Sequence, residues 1–226
     1  MNKKAYIYKM NLGPANILSI VIFVLAVIPA FLLKINLFNV GVNTFILFII
    51  LILYLWLHEV LHGIGYIIGG AKRKNIKYGV CLEKGIFYCM AYQELTKKNI
   101  LISLQMPFMV IGVITYIIGV IINLPLLIVL SAVNISGASM DLVMFYYISK
   151  LPKDTTYSES GNADEFVLIS SEDLTKRKNI FLKMVDVKDY KVEDYIFEGF
   201  KRFEITKASI YILIGFILLG LINTIL

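Results

Sequence analysis

The sequence predicts an all-α polytopic membrane protein of about five transmembrane helices, with a small cytoplasmic β-hairpin and a cytoplasmic α+β insert before the last helix. Three observations predict it. Five long apolar runs cross the chain, lysines and arginines cluster between alternate runs, and two polar segments carry their own short-period patterns. Of the 226 residues 58% are hydrophobic and only 17% charged, against roughly a quarter charged in a typical soluble domain. The apolar excess is concentrated where a bilayer requires it.

The runs are Ala15 to Leu33, Phe45 to Ile68, Ile100 to Ile122, Leu126 to Ile148 and Ala208 to Leu226. Each is long enough to cross a hydrocarbon layer of about 30 Å as a helix. The first follows Lys3, Lys4 and Lys9 as a signal peptide would. Its apolar stretch is too long for one and no small-residue cleavage site precedes Lys34, so it reads as a span.

Orientation follows from the basic residues. Lys3, Lys4 and Lys9 precede the first run, seven lie from Lys72 to Lys98, and eleven from Lys150 to Lys207. The opposite side holds only Lys34. The expectation is a multi-pass protein of the cytoplasmic membrane, N-terminus cytoplasmic and C-terminus outside. The net charge of +6 is thereby a topology signal, and basic flanks favour anionic lipid head groups. A nucleic-acid partner is not expected, because the cations flank spans and form no folded basic face.

These boundaries divide the chain into a membrane-embedded core (1–149), a cytoplasmic insert (150–207) and a last span (208–226). Within the core, Ile76, Tyr78, Val80 and Leu82 alternate, then Ile86, Tyr88 and Met90 after Glu83-Lys84-Gly85, the pattern of a hairpin. In the insert, Lys153 to Ala163 reads as loop, Phe166 to Ile169 as a strand, Ser171 to Asp173 as a short helix start, and Ile180 to Val192 as further strand. Cys81 and Cys89 lie in a reducing compartment and lack metal-ligand spacing, so they read as small apolar residues of the strand pair.

The chemistry is in the second run, as His58-Glu59-Val60-Leu61-His62. On a helix this spacing stacks two imidazoles on one face, as two ligands of one zinc ion. The glutamate between them can take a proton from a metal-polarised water and return it to a leaving amine. These are the only two histidines of the chain, and Glu59 is the only formal charge between Lys34 and Lys72. Asp141 is likewise alone between Lys98 and Lys150. A carboxylate inside a bilayer is costly and implies a partner.

By helical rise, His58 lies about 15 Å, His62 about 9 Å and Asp141 roughly 12 Å from the cytoplasmic ends of their spans. Asp141 is therefore the candidate third ligand, the alternative being an Asp that snorkels or bonds a neighbour. Asn134, Gly137 and Ser139 interrupt the same span. Two readings stay open for them: an opened helix in which Asn134 binds substrate or the transition-state oxyanion, or close packing of small residues.

The sequence resembles the bacterial putative zincin membrane peptidases, which are similar in logic to the site-2 proteases. The resemblance rests on His58-Glu59-Val60-Leu61-His62-Gly63, Phe87-Tyr88-Cys89, Pro107 and Gly137-Ala138-Ser139-Met140-Asp141-Leu142, over about residues 40 to 170. It implies His58, His62 and Asp141 as zinc ligands, one Zn2+ per chain and Glu59 as general base. The expected activity is zinc-dependent intramembrane endopeptidase cleavage of membrane-embedded or membrane-associated protein substrates. The alternative is a non-catalytic membrane scaffold or partner subunit with a structural or vestigial zinc site. Structural sites take four protein ligands, and only three candidates are present. Ion transport would need more polar residues along several spans.

Overall fold

The computed structural model describes residues 3–81, 86–160, 162 and 164–189. Its first long helix, α1 (Leu12–Leu32), ends at Lys34, whose φ of 58° turns the chain back. Helix α2 (Thr44–Ile68) starts at Asn43, whose side-chain oxygen accepts the Ile46 N–H at 2.9 Å, the usual way a polar side chain satisfies a free amide of a first turn. It stops at Gly69 and Gly70, the latter at φ 100°.

The third apolar run forms α3 (Lys97–Pro107), a π-helical stretch (Phe108–Ile114) and α4 (Thr115–Ile121) in continuity. The fourth is α5 (Pro125–Gly137) and α6 (Ser139–Ser149), bent by 46° at Ala138. Three helices are long and apolar enough to cross a membrane, or four if the bent pair is one span. Ile17, Ile20, Leu25, Leu53, Ile118 and Ile121 point outward and exposed, as side chains facing lipid do. The fifth expected span, Ala208 to Leu226, lies outside the described residues.

The fold is not all-α. Strands β2 (Ile76–Cys81) and β3 (Ile86–Ala91) pair antiparallel as the alternation predicts. A second, five-stranded antiparallel sheet has the order β4-β5-β6-β1-β7. Its members are β1 (Lys4–Met10), β4 (Leu95–Thr96), β5 (Thr156–Glu159), β6 (Glu165–Ser170) and β7 (Leu182–Asp189). A 3₁₀ turn over Leu174–Lys176 follows Asp173, whose carboxylate accepts the Thr175 N–H.

The N-terminal segment, read from sequence only as a basic flank, is thus an inner strand between β6 and β7. Its alternation is real: Ala5 and Ile7 pack with Val167 and Ile169 on one face, while Tyr6 and Tyr8 join the main core on the other. Its partners lie more than 150 residues away, so no local pattern reports the pairing.

The sheet joins the segment before α1, the segment before α3 and the segment after α6. Those three helix ends therefore meet at one sheet. Sheet and helices share one core, in which Tyr6, Tyr8, Leu95, Phe166 and Leu168 pack with Tyr66, Ile100, Leu104, Tyr147 and Ile148. The Tyr8 ring stacks on Phe166 (5.5 Å between centroids) and meets Tyr147 edge-on at 5.6 Å. Each such pair adds about 0.5–1.5 kcal/mol beyond area burial.

Candidate metal centre

His58 and His62 lie one turn apart on α2, and Asp141 projects from the first turn of α6 just beyond the bend. Their polar atoms form a triangle: His58 Nε2 to His62 Nε2 is 3.0 Å, and Asp141 Oδ2 lies 3.3 Å from the first and 3.4 Å from the second. Ligands held about 2.0–2.2 Å from a tetrahedral zinc are separated by roughly 3.3–3.6 Å. The triangle is close to that size.

The other nitrogen of each ring fixes its tautomer. His58 Nδ1 donates to the Asn134 side-chain oxygen at 2.7 Å, and His62 Nδ1 donates to the Ser103 carbonyl at 3.0 Å. The Asn134 amide cannot be reversed without loss, because its Nδ2 donates to the Pro107 carbonyl at 3.0 Å. With both rings neutral, the two Nε2 atoms present lone pairs to each other and to a carboxylate. Such a set is held together by a cation, whether a metal ion or a shared proton. Both imidazoles carry the outer-shell partner that a metal-bound histidine ordinarily has.

Pro107 explains why the Ser103 carbonyl is free. A residue at position 103 of an α-helix normally bonds the N–H of residue 107, and proline has none. The Ser103 carbonyl is left for His62. The switch from α to π hydrogen bonding begins immediately after, a register change that alters which carbonyls are matched within the helix. Close approach of the two helices comes from Gly65. A Cβ there would stand 2.5 Å from the Ser103 Cα, so no larger residue lets α3 carry that carbonyl to His62.

Glu59 stands beside the two histidines, with a ligand atom within 4.8 Å of those of both. The main-chain N–H of Cys89 on β3 is directed at its carboxylate. It lines a small cleft of about 120 Å³ with Trp56, Tyr78, Gly79, Val80, Phe87 and Tyr88. The hairpin thus folds back along α2 to the depth of the motif, whereas the sequence placed it wholly in the polar segment. Cys89 is a free, buried thiol packed in the main core, and the Cys81 side chain lies outside what is described.

The structure brings together His58, His62, Asp141 and Glu59. Asn134 is 3% exposed and its amide is engaged at both ends, with its oxygen on His58 and its nitrogen on the Pro107 carbonyl. The span bends at Gly137-Ala138 without unwinding. Ser103 was invisible to sequence reasoning, since any residue supplies a carbonyl; Pro107 in an apolar run is the signal that could have located it.

No curated protein and no solved structure matches the chain. Residues 51–156, which hold the motif, the hairpin, the π-helical span and Asp141, match the model of the family described as putative zincin peptidase, the family that the sequence resembles.

Proposed function

We propose that the protein is a zinc-dependent intramembrane endopeptidase, with His58, His62 and Asp141 holding the ion and Glu59 as general base. The observation that carries this reading is the 3.0–3.4 Å triangle of two Nε2 lone pairs and one carboxylate oxygen, with both Nδ1–H groups tied back. Three protein ligands leave a tetrahedral ion one open place, the mark of a catalytic rather than a structural site. Bound there, zinc would polarise a water and the scissile carbonyl.

Glu59 faces the cleft under the hairpin, where it can take a proton from the attacking water and deliver it to the leaving amine. Among the described residues the hairpin has only two strands, so a locally unwound substrate segment can add to it through main-chain hydrogen bonds. Substrates are membrane-embedded or membrane-associated proteins, met near the side of the bilayer that carries the sheet. That side is the cytoplasmic one if the lysine distribution sets the topology.

The test compares cleavage of membrane-embedded substrates by wild-type protein and by Glu59→Gln at equal zinc content. The variant should keep the metal and lose about 10²–10⁴-fold in rate, the ordinary weight of a general base. Equal cleavage would rule out Glu59 as base. Zinc binding with no cleavage of any substrate by the wild type would favour the scaffold reading.

A further inference from the structure

Glu159, on β5, is 4% exposed and plays no part in the chemistry above. Its carboxyl is held by two hydroxyls from different layers: Tyr157 of its own strand donates to Oε2 at 3.1 Å, and Tyr66 of α2 donates to Oε1 at 3.3 Å. The Ala91 N–H at the end of β3 is directed at it as well. A buried carboxyl is costly unless its partners are well placed.

The position of Tyr66 shows what the carboxyl reaches. Tyr66 is one turn beyond His62, and its hydroxyl also lies beside the Ser103 hydroxyl. Ser103 is doubly bonded to His62: its Oγ donates to the His62 carbonyl at 2.9 Å, and its own carbonyl accepts from His62 Nδ1 at 3.0 Å. Glu159, Tyr66, Ser103 and His62 thus form a buried series from the sheet to the metal centre, in which the Ser103 hydroxyl meets the His62 main chain and the Ser103 carbonyl meets its imidazole.

Burial, the largest influence, pushes the Glu159 carboxyl up to about 7, against the hydrogen bonds from Tyr157, Tyr66 and Ala91 and the nearby His62. The Tyr157 and Tyr66 hydroxyls give their protons to the carboxyl, and the Ser103 hydroxyl gives its own to the His62 carbonyl.

We propose that Glu159 is a positioning residue of the metal centre, which sets the orientation of the His62 imidazole through Tyr66 and Ser103 and so makes the five-stranded sheet part of the zinc site's outer shell. The inference rests on the metal-centre reading for its purpose, but its geometry does not need the metal.

The chain has only two histidines, so ¹⁵N-histidine labelling of the full-length protein in detergent gives a two-residue spectrum, assigned with His58→Gln. Glu159→Ala should shift the His62 ring signals more than those of His58. Tyr66→Phe, which keeps the ring and its packing, should reproduce the shift. Glu159→Gln, whose amide oxygen can still accept from Tyr66, should keep the His62 signals close to their wild-type positions. Zinc affinity by chelator competition should fall about 10-fold in Glu159→Ala and in Tyr66→Phe, within the range for outer-shell changes, and the double variant should be no weaker than either.

Unshifted His62 signals in Tyr66→Phe, or losses that multiply in the double variant, would overturn the proposal. Absence of zinc binding by the wild type would strike the proposed function instead, and the ring signals would still decide this one.

Discussion

His62 Nδ1 lies 3.0 Å from the carbonyl oxygen of Ser103, an acceptor that exists because Pro107 withholds the helical N–H which would otherwise occupy it. A helix-breaking residue in α3 therefore orients a histidine in α2. Pro107→Ala should return an N–H to that carbonyl and compete with the imidazole. Zinc affinity should fall about 10-fold, the lower end of outer-shell effects, while the protein folds and inserts normally. Isothermal titration with zinc checks it, and unchanged affinity would show that the His62 orientation has another source.

Asn134 separates two roles by kinetics. Its side chain joins His58 Nδ1 to the Pro107 carbonyl, so Asn134→Leu should weaken zinc by about 10–100-fold and lower activity only as metal is lost, with activity recovered at high zinc. A raised KM with zinc affinity intact would instead place Asn134 against the substrate.

Gly65 sets the spacing between α2 and α3. In Gly65→Ala the new methyl would meet the Ser103 main chain at 2.5 Å, and backbone cannot rotate away as a side chain would. Overpacking of this kind costs about 1–3 kcal/mol. The midpoint of thermal unfolding in detergent should drop and zinc affinity should drop with it. A variant as stable as wild type would show that the helices have room to part.

Much of this was legible in the sequence. Charge-free runs mark α1, α2 and the two later spans because a bilayer admits little else, and an isolated Glu59 and Asp141 stand out against them. The alternation from Ile76 to Met90 marks the hairpin. What escaped is the part built by long-range contact. The strand over Lys4–Met10 exists only through β6 and β7, and its lysines resemble a topology signal. Asn134 was read as substrate binder or packing residue; its bonds to His58 and Pro107 join three helices, a meeting that no local pattern reports. Ser103 acts through its main chain, which no side-chain pattern can report.

Glu159 gives a pH dependence of stability. Its carboxyl is raised from 4.5 to about 7 by burial, opposed by hydrogen bonds from Tyr157, Tyr66 and the Ala91 N–H and by His62, with the Cys89 thiol and Tyr92 also facing it. Between those two values the folded chain keeps a proton that the unfolded chain has lost. Stability from this group is therefore full below about 4.5 and is lost as pH rises through 7. Each pKa unit is about 1.4 kcal/mol, so the loss is on the order of 3 kcal/mol at most. Glu159→Gln should flatten that fall when thermal unfolding is followed from pH 5 to 8, and an unchanged slope would assign it to other groups.

The central claim is a zinc ion held by His58, His62 and Asp141 with one place open. X-ray absorption at the zinc edge of the purified, zinc-loaded protein tests it most directly. The account predicts one zinc per chain, a shell of nitrogen and oxygen at about 2.0–2.2 Å, and the outer-shell scattering of two imidazoles. A sulfur shell near 2.3 Å, which would bring in Cys81 or Cys89, or scattering from fewer than two imidazoles, would contradict it.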